Sequence, residues 1–349
     1  MSDAAACSQL TNLQGALQQL DTDAPASSQL QHMLVQGFGS LPLPGSGATL
    51  QRWQALASVA AHNLSLAKLY EGHTDALAIL AELNDLSPPD ETGHVQSWGV
   101  WAAEIPGSRV VITPWNETAV QLDGLKGWCS GAQSVSHGLL TAWHADGSGP
   151  QLVRVAMQQS GIGVSSANWA AVGMADSASI DVVFKQAKAQ LVGSTGAYLS
   201  RPGFWQGGAG IAACWYGGAM GLGVALHQAL NDVPQAARSP FKMAALGKVD
   251  VALLSTAQAL RSAAQWIDDN PLGDAGTAAL RVRLSAELCA KTVLDEAGRA
   301  LGAAAFCRNG RFARAAADLP VFIRQSHAER DFAALAERVI PAGVTPWQL

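Results

Sequence analysis

Residues 122–132 read Leu122-Asp123-Gly124-Leu125-Lys126-Gly127-Trp128-Cys129-Ser130-Gly131-Ala132, and the reading of this stretch decides the fold. Gly124 and Lys126 fit a turn into an edge strand, because glycine adopts backbone angles that other residues avoid. On that strand Trp128 offers a flat aromatic face and Ser130 a hydroxyl. Two readings stand. One is a core aromatic with a strand-end polar group, since aromatic side chains are usually packing. The other is a platform for a planar ligand, and the surrounding chain has to choose between them.

Around this stretch, from 95 to 192, lie short runs rich in valine, isoleucine and threonine: 97–103, 109–112, 118–122, 138–143, 152–157 and 180–184. Such residues suit half-buried strands. Asp146-Gly147 is a hairpin turn. No long helical pattern separates the runs, so an antiparallel sandwich or barrel is expected rather than a parallel sheet. Before this block, leucines 10, 13, 17 and 20 recur at helical spacing, 37–47 reads as loop, and 50–86 reads as a helix that Gly72 interrupts. Pro88-Pro89 ends it, and the character changes near Gly93. After Tyr198, alanine-rich helices are expected at 204–231, 240–268, 270–301 and 326–339, with Gly302 terminating the third. The chain therefore divides into helical, β and helical parts at 1–92, 93–194 and 195–349.

Bulk composition excludes several classes. Hydrophobic residues make up 49% and charged residues 14%, which is a globular balance. With a net charge of -5 there is no basic excess for nucleic acid. The five cysteines are odd in number and scattered, and the N-terminus lacks a secretory pattern, so a cytoplasmic protein is expected. Residues 203–226 carry no charge, yet eight of them are glycine, which favours a buried helix over a membrane span. The histidines show no ligand spacing, so no metal is expected. Gly208-Ala209-Gly210-Ile211-Ala212-Ala213 follows no strand, which argues against a nucleotide-binding turn.

Five ordered motifs resemble the acyl-CoA dehydrogenase family: Asn63-Leu64-Ser65-Leu66-Ala67 with His73, Ala102-Ala103-Glu104-Ile105-Pro106-Gly107, the stretch quoted first, Trp169 with Gly173-Met174-Ala175-Asp176-Ser177-Ala178-Ser179, and Arg299-Ala300-Leu301-Gly302-Ala303. The resemblance implies an α+β fold with an N-terminal helical domain, a central antiparallel β-barrel or sandwich and a C-terminal four-helix bundle. It implies FAD as cofactor, held by Trp101, Ala103, Trp128, Cys129, Ser130, Arg238 and Gly302. It also implies a homodimer or homotetramer, an acyl thioester substrate, α,β-dehydrogenation, and an electron-transfer acceptor or oxygen.

Two departures qualify the chemistry. The family places a catalytic glutamate before the final helix or at the start of the bundle. Here the first region reads Gln325-Ser326-His327-Ala328-Glu329-Arg330-Asp331, and the second, 210–215, has no carboxylate. His327 or Glu329 is left as the base, since imidazole titrates near neutrality. Alternatively, His327 is a helix-start residue bonded to backbone, and Glu329, Arg330 and Asp331 form a solvated first turn in which the helix dipole favours the acids. The phosphate-binding loop keeps only Arg238 or Lys242. A flavin monooxygenase of the same fold, needing no thioester base, is the alternative function, and a non-catalytic binding or scaffold subunit is a third.

Overall fold

The computed structural model describes residues 3–84, 95–116, 119–342 and Trp347. Pro88-Pro89, Gly93 and Thr118 lie outside the described residues. Four helices come first: α1 (Asp3–Gln19), α2 (Ala26–Val35), α3 (Thr49–His62) and α4 (Leu64–Glu82). The single helix expected over 50–86 is two, because Asn63 leaves helical geometry and caps α4, its side chain accepting from the Leu66 amide. Gly72 does not interrupt α4, which packs against β1.

Seven strands follow: β1 (Trp98–Trp101), β2 (Val110–Pro114), β3 (Val120–Cys129), β4 (His137–His144), β5 (Pro150–Ala156), β6 (Ile162–Ser165) and β7 (Ile180–Val192). The pairings β4–β2–β3–β7–β5 return to β4 and close a five-stranded barrel, with β1 beside β4 and β6 beside β7. The expectation of a purely antiparallel sheet is corrected: β1 and β2 both run parallel to β4. The Asp146-Gly147 turn does join β4 and β5 as a hairpin, with Gly147 at φ +81.

The quoted stretch is not a turn into an edge strand. Gly124 and Lys126 lie inside β3, between β2 and β7. Two register shifts interrupt its pairing with β7, between Leu122 and Gly124 and between Lys126 and Cys129. Gly124 sits at φ +128, where an added Cβ would strike the Arg109 carbonyl. At the second shift Trp128 takes φ +57, so one extra residue separates two inward-facing neighbours. Lys126 points into the barrel, where Nζ donates to Glu104 at 3.0 Å and to Thr141 Oγ1 at 2.8 Å. Such a buried cation is tolerated because it is fully paired.

The remaining helices are α5 (Ala197–Ser200), α6 (Gly203–Asn231), α7 (Pro240–Asp269), α8 (Gly276–Leu301), α9 (Ala303–Arg308), α10 (Gly310–Phe322) and α11 (Glu329–Val339). Gly302 ends α8 as expected, at φ +67. The helix expected from 326 starts at Glu329, because Ser326 and His327 belong to the loop before it. The charge-free segment forms α6, which runs through the bundle against α3 and α8. Helices α6 and α7 are each long and apolar enough to span a membrane, but most of the apolar part of α6 is covered by protein. One core takes residues from both helical parts, including Leu30, Trp53, Leu66, Trp215, Val282 and Phe322.

His73 of α4 is 3% exposed and its Nδ1 has no hydrogen-bond partner. Burial lowers its pKa to about 4, against a smaller opposing effect of the Gly39 backbone. The unfolded chain therefore binds a proton that the native chain refuses. The stability that neutral His73 permits is present above about pH 6.5 and is lost as pH falls towards 4. Chemical denaturation at pH 7.5 and 4.5 should show a loss of up to about 3 kcal/mol from this site. His73→Gln should flatten that slope, and an unchanged slope would remove His73 as its source.

Candidate functional site

A cavity of about 330 Å³ lies where α4, the end of β1, the first half of α6, α8 and the 325–331 loop meet. His327 enters it from the loop. Its Nδ1 is 3.2 Å from Asp331 Oδ1. The other carboxylate oxygen of Asp331 accepts from the His327 amide at 3.1 Å and lies 3.4 Å from the Ser326 hydroxyl. The Ser326 hydroxyl in turn accepts from the Ala328 amide at 3.1 Å. Ala328 occupies φ +49, ψ −118, a conformation costing about 1–3 kcal/mol for a residue with a Cβ. The Asp331 carboxylate thus holds a strained loop that presents the imidazole.

Arg283 of α8 ties this loop to the bundle. Its guanidinium donates to the Gly208 carbonyl at 3.0 Å and the Gln325 carbonyl at 2.9 Å, and stands 4.0 Å from Asp331. It also lies over the Trp215 ring, 5.1 Å from its centroid. Burial lowers the Arg283 pKa, partly offset by Asp331, Glu71 and Glu287.

The end of β3 approaches the cavity through β1. The Trp101 indole donates to the Ser130 carbonyl at 3.0 Å, and Ala102, next along the chain, lines the cavity. Trp101 itself is 2% exposed in the barrel core; a Cβ at Gly138 would collide with its ring. The Ser130 hydroxyl is 2.6 Å from that of Ser179, which is 3.0 Å from that of Ser177. Two of the sequence motifs therefore converge here. A third element joins them: the Met174 amide donates to Asp318 of α10 at 2.6 Å, docking the 173–179 segment on the bundle.

The other sequence candidates fall as follows. Trp128 is 62% exposed, so the core-aromatic reading fails for it. Cys129 faces the barrel core, its thiol 3.3 Å from the Lys126 carbonyl and its pKa pushed up by burial; its side chain points away from any surface ligand. Ala103 is exposed at the end of β1. Glu329 is exposed on the first turn of α11 and makes no part of the His327 network. Arg238 closes the C-terminal end of α6, its Nε donating to the Leu230 and Val233 carbonyls at 3.0 and 3.1 Å. Gly302 lies at the α8–α9 junction. No cluster suited to a metal ion occurs among the described residues.

Sequence reasoning missed Asp331, read only as a solvated first-turn acid, although it is 8% exposed. It also missed Lys68, Glu71 and Asp75 of α4, which line the cavity. Their signal was present: charges at positions 68, 71 and 75 share one face of a mainly apolar helix.

No family model matches the sequence, and comparison with curated proteins gives no match. Solved structures do match over almost the whole chain. Dibenzothiophene monooxygenase TdsC from Paenibacillus sp. A11-2 has a TM-score of 0.81 at 17% identity, covering 98% of both chains. A nitrososynthase from Micromonospora carbonacea var. africana has a TM-score of 0.78 at 15% identity, covering 99% of this chain and 98% of that one. Methanesulfinate monooxygenase MsuC from Pseudomonas fluorescens has a TM-score of 0.76 at 17% identity, covering 99% and 98%. TdsC has also been solved with FMN and indole. At these identities the likeness establishes the fold, which is acyl-CoA dehydrogenase-like.

Proposed function

We propose that this protein is a flavin-dependent monooxygenase rather than an acyl-CoA dehydrogenase. The observation that carries the reading is the His327–Asp331 pair at the mouth of the cavity, where a dehydrogenase would present a carboxylate base. Glu329, the only other candidate, stands outside that network. Monooxygenases among the structural neighbours, and FMN in one of them, support the same choice.

The residues present fit a flavin. Ser130, Ser179 and the exposed end of β1 at Ala103 offer hydrogen-bonding groups, and Trp128, two residues from Ser130, offers an exposed ring. FMN is favoured over the FAD that the sequence implied, because Arg238 is engaged with backbone carbonyls. When bound and reduced, the flavin supplies the electrons that activate oxygen. Asp331 fixes the imidazole tautomer, since an Nδ1–H facing the carboxylate leaves Nε2 able to take or give a proton. Arg283 and Ser326 keep that nitrogen in place. Homo-oligomerisation belongs to this reading, because α7 exposes Phe241, Met243, Val251 and Leu254.

Visible spectroscopy of the purified protein incubated with FMN or FAD tests the cofactor. Flavin bands retained at near-stoichiometric occupancy are expected with FMN. Oxygen uptake on adding reduced FMN, with no bleaching of oxidised flavin by acyl-CoA, then separates oxygenation from dehydrogenation. A colourless protein that takes up neither flavin would leave the reading without support and favour a binding role.

A further inference from the structure

A second carboxylate lies behind the His327 loop. Glu287 stands on α8 one turn after Arg283, on the same face, and is 1% exposed. Its Oε1 takes the Arg324 guanidinium and the Lys291 ammonium, each at 2.6 Å. Arg324 lies three residues before His327, so α8 holds the approach to the imidazole twice. Arg283 grips the Gln325 carbonyl at 2.9 Å, and Glu287 grips the Arg324 side chain. The other oxygen of Glu287, Oε2, is enclosed and closes no hydrogen bond with the described residues. Burial would raise the Glu287 pKa, but Lys291, the neighbouring Ser326 hydroxyl and Arg324 outweigh it and hold the carboxyl below its usual range. A charged, enclosed oxygen without a donor is costly, so a donor beside it is drawn towards it.

That donor is Ser326, itself 4% exposed. A hydroxyl has one proton to give, and here two carboxylates compete for it. Its oxygen already accepts from the Ala328 amide at 3.1 Å. Asp331 Oδ2 is 3.4 Å away, well outside the separation of about 2.7–2.8 Å that hydroxyl bonds prefer. The proton is therefore poorly engaged by Asp331. Its destination matters to the imidazole, because Asp331 Oδ1 is what faces Nδ1 at 3.2 Å. A carboxylate that also takes a hydroxyl proton is a weaker partner for the ring.

We propose that Glu287 is a positioning residue for His327: it draws the Ser326 proton to itself and leaves the Asp331 carboxylate to hold the imidazole in its Nδ1–H form. The inference rests on reading His327 as the acid–base group of the proposed monooxygenase. Glu287 does not line the cavity, so it acts only through the loop.

The test is nitrogen NMR of the full chain carrying isotope-labelled histidine, at a pH where the imidazole is neutral. The spectrum reads the tautomer directly, and His327→Gln identifies the signal. The unaltered protein should show His327 as the Nδ1–H tautomer. Glu287→Gln, a weaker acceptor, should shift the ring towards the Nε2–H form and lower turnover about 10–10²-fold with little change in KM. Lys291→Ala removes another partner of the same carboxylate and should leave the tautomer as it was. Ser326→Ala should erase the effect of Glu287→Gln, because no proton is then left to compete for, and the double variant should match Ser326→Ala alone. An Nε2–H ring in the unaltered protein overturns the proposal. So does an unchanged tautomer in Glu287→Gln, the same shift in Lys291→Ala, or a Glu287→Gln effect that persists in full without the Ser326 hydroxyl. The tautomer needs neither flavin nor turnover, so this inference fails separately from the oxygenase reading, which absent flavin bands or unchanged turnover in His327→Gln would sink.

Discussion

His327→Gln should lower reduced-FMN- and oxygen-dependent product formation by about 10²–10⁴-fold, the usual contribution of a positioned acid or base. Glutamine keeps a similar reach but does not titrate. The Asp331 carboxylate would still bind the amide of residue 327 and the Ser326 hydroxyl, so the loop should keep its path. Flavin occupancy, read from the visible bands, should therefore change little. Asp331→Asn should act differently. It retains the size but weakens the hold on both the imidazole and the loop, giving a smaller loss of rate with greater loss of thermal stability. Unchanged turnover in His327→Gln would remove His327 from the chemistry.

Trp101→Ala should destabilise the protein by about 3–5 kcal/mol, the cost of truncating a buried tryptophan. The ring fills the barrel interior against Gly99 and Gly138, neither of which leaves room for a side chain of its own. Its indole also anchors the Ser130 carbonyl. Trp101→Phe separates the two contributions. It restores most of the apolar volume but leaves the carbonyl without its donor, for about 1 kcal/mol. Flavin affinity should fall in Trp101→Phe beyond what the stability loss explains, because Ser130 is then free to shift. Urea denaturation together with flavin titration distinguishes the outcomes. A Trp101→Phe protein of normal flavin affinity would show that the anchor is structural only.

The sequence was most legible where chemistry and pattern coincided. The hairpin turn at Asp146-Gly147 and the stop at Gly302 both follow from local residue types. The path of β3 did not. Inward and outward alternation cannot reveal two bulges, since a bulge is a count of residues against a partner strand that the local pattern does not contain. For the same reason the parallel pairings of β1 and β2 with β4 were hidden, as each joins segments distant in sequence. Asp331 was visible as an acid in a first turn, a position that the helix dipole alone would explain. Only the fold shows that it faces inward, against His327 and Arg283. The charges on α4 were legible in principle, because Lys68, Glu71 and Asp75 interrupt an apolar helix at helical spacing.

Arg283 gives the molecule a mechanical joint. A single guanidinium grips a carbonyl on α6 and a carbonyl at the start of the His327 loop, while its own backbone belongs to α8. Any slide of α6 along α8 must therefore stretch one of these bonds or drag the imidazole with it. Lysine at this position would preserve the charge but supply no fork, so it would uncouple the two helices from the loop. The placement of the His327 imidazole is in this sense a readout of how the bundle is seated, and residues far from the cavity that alter that seating would move the ring without touching it.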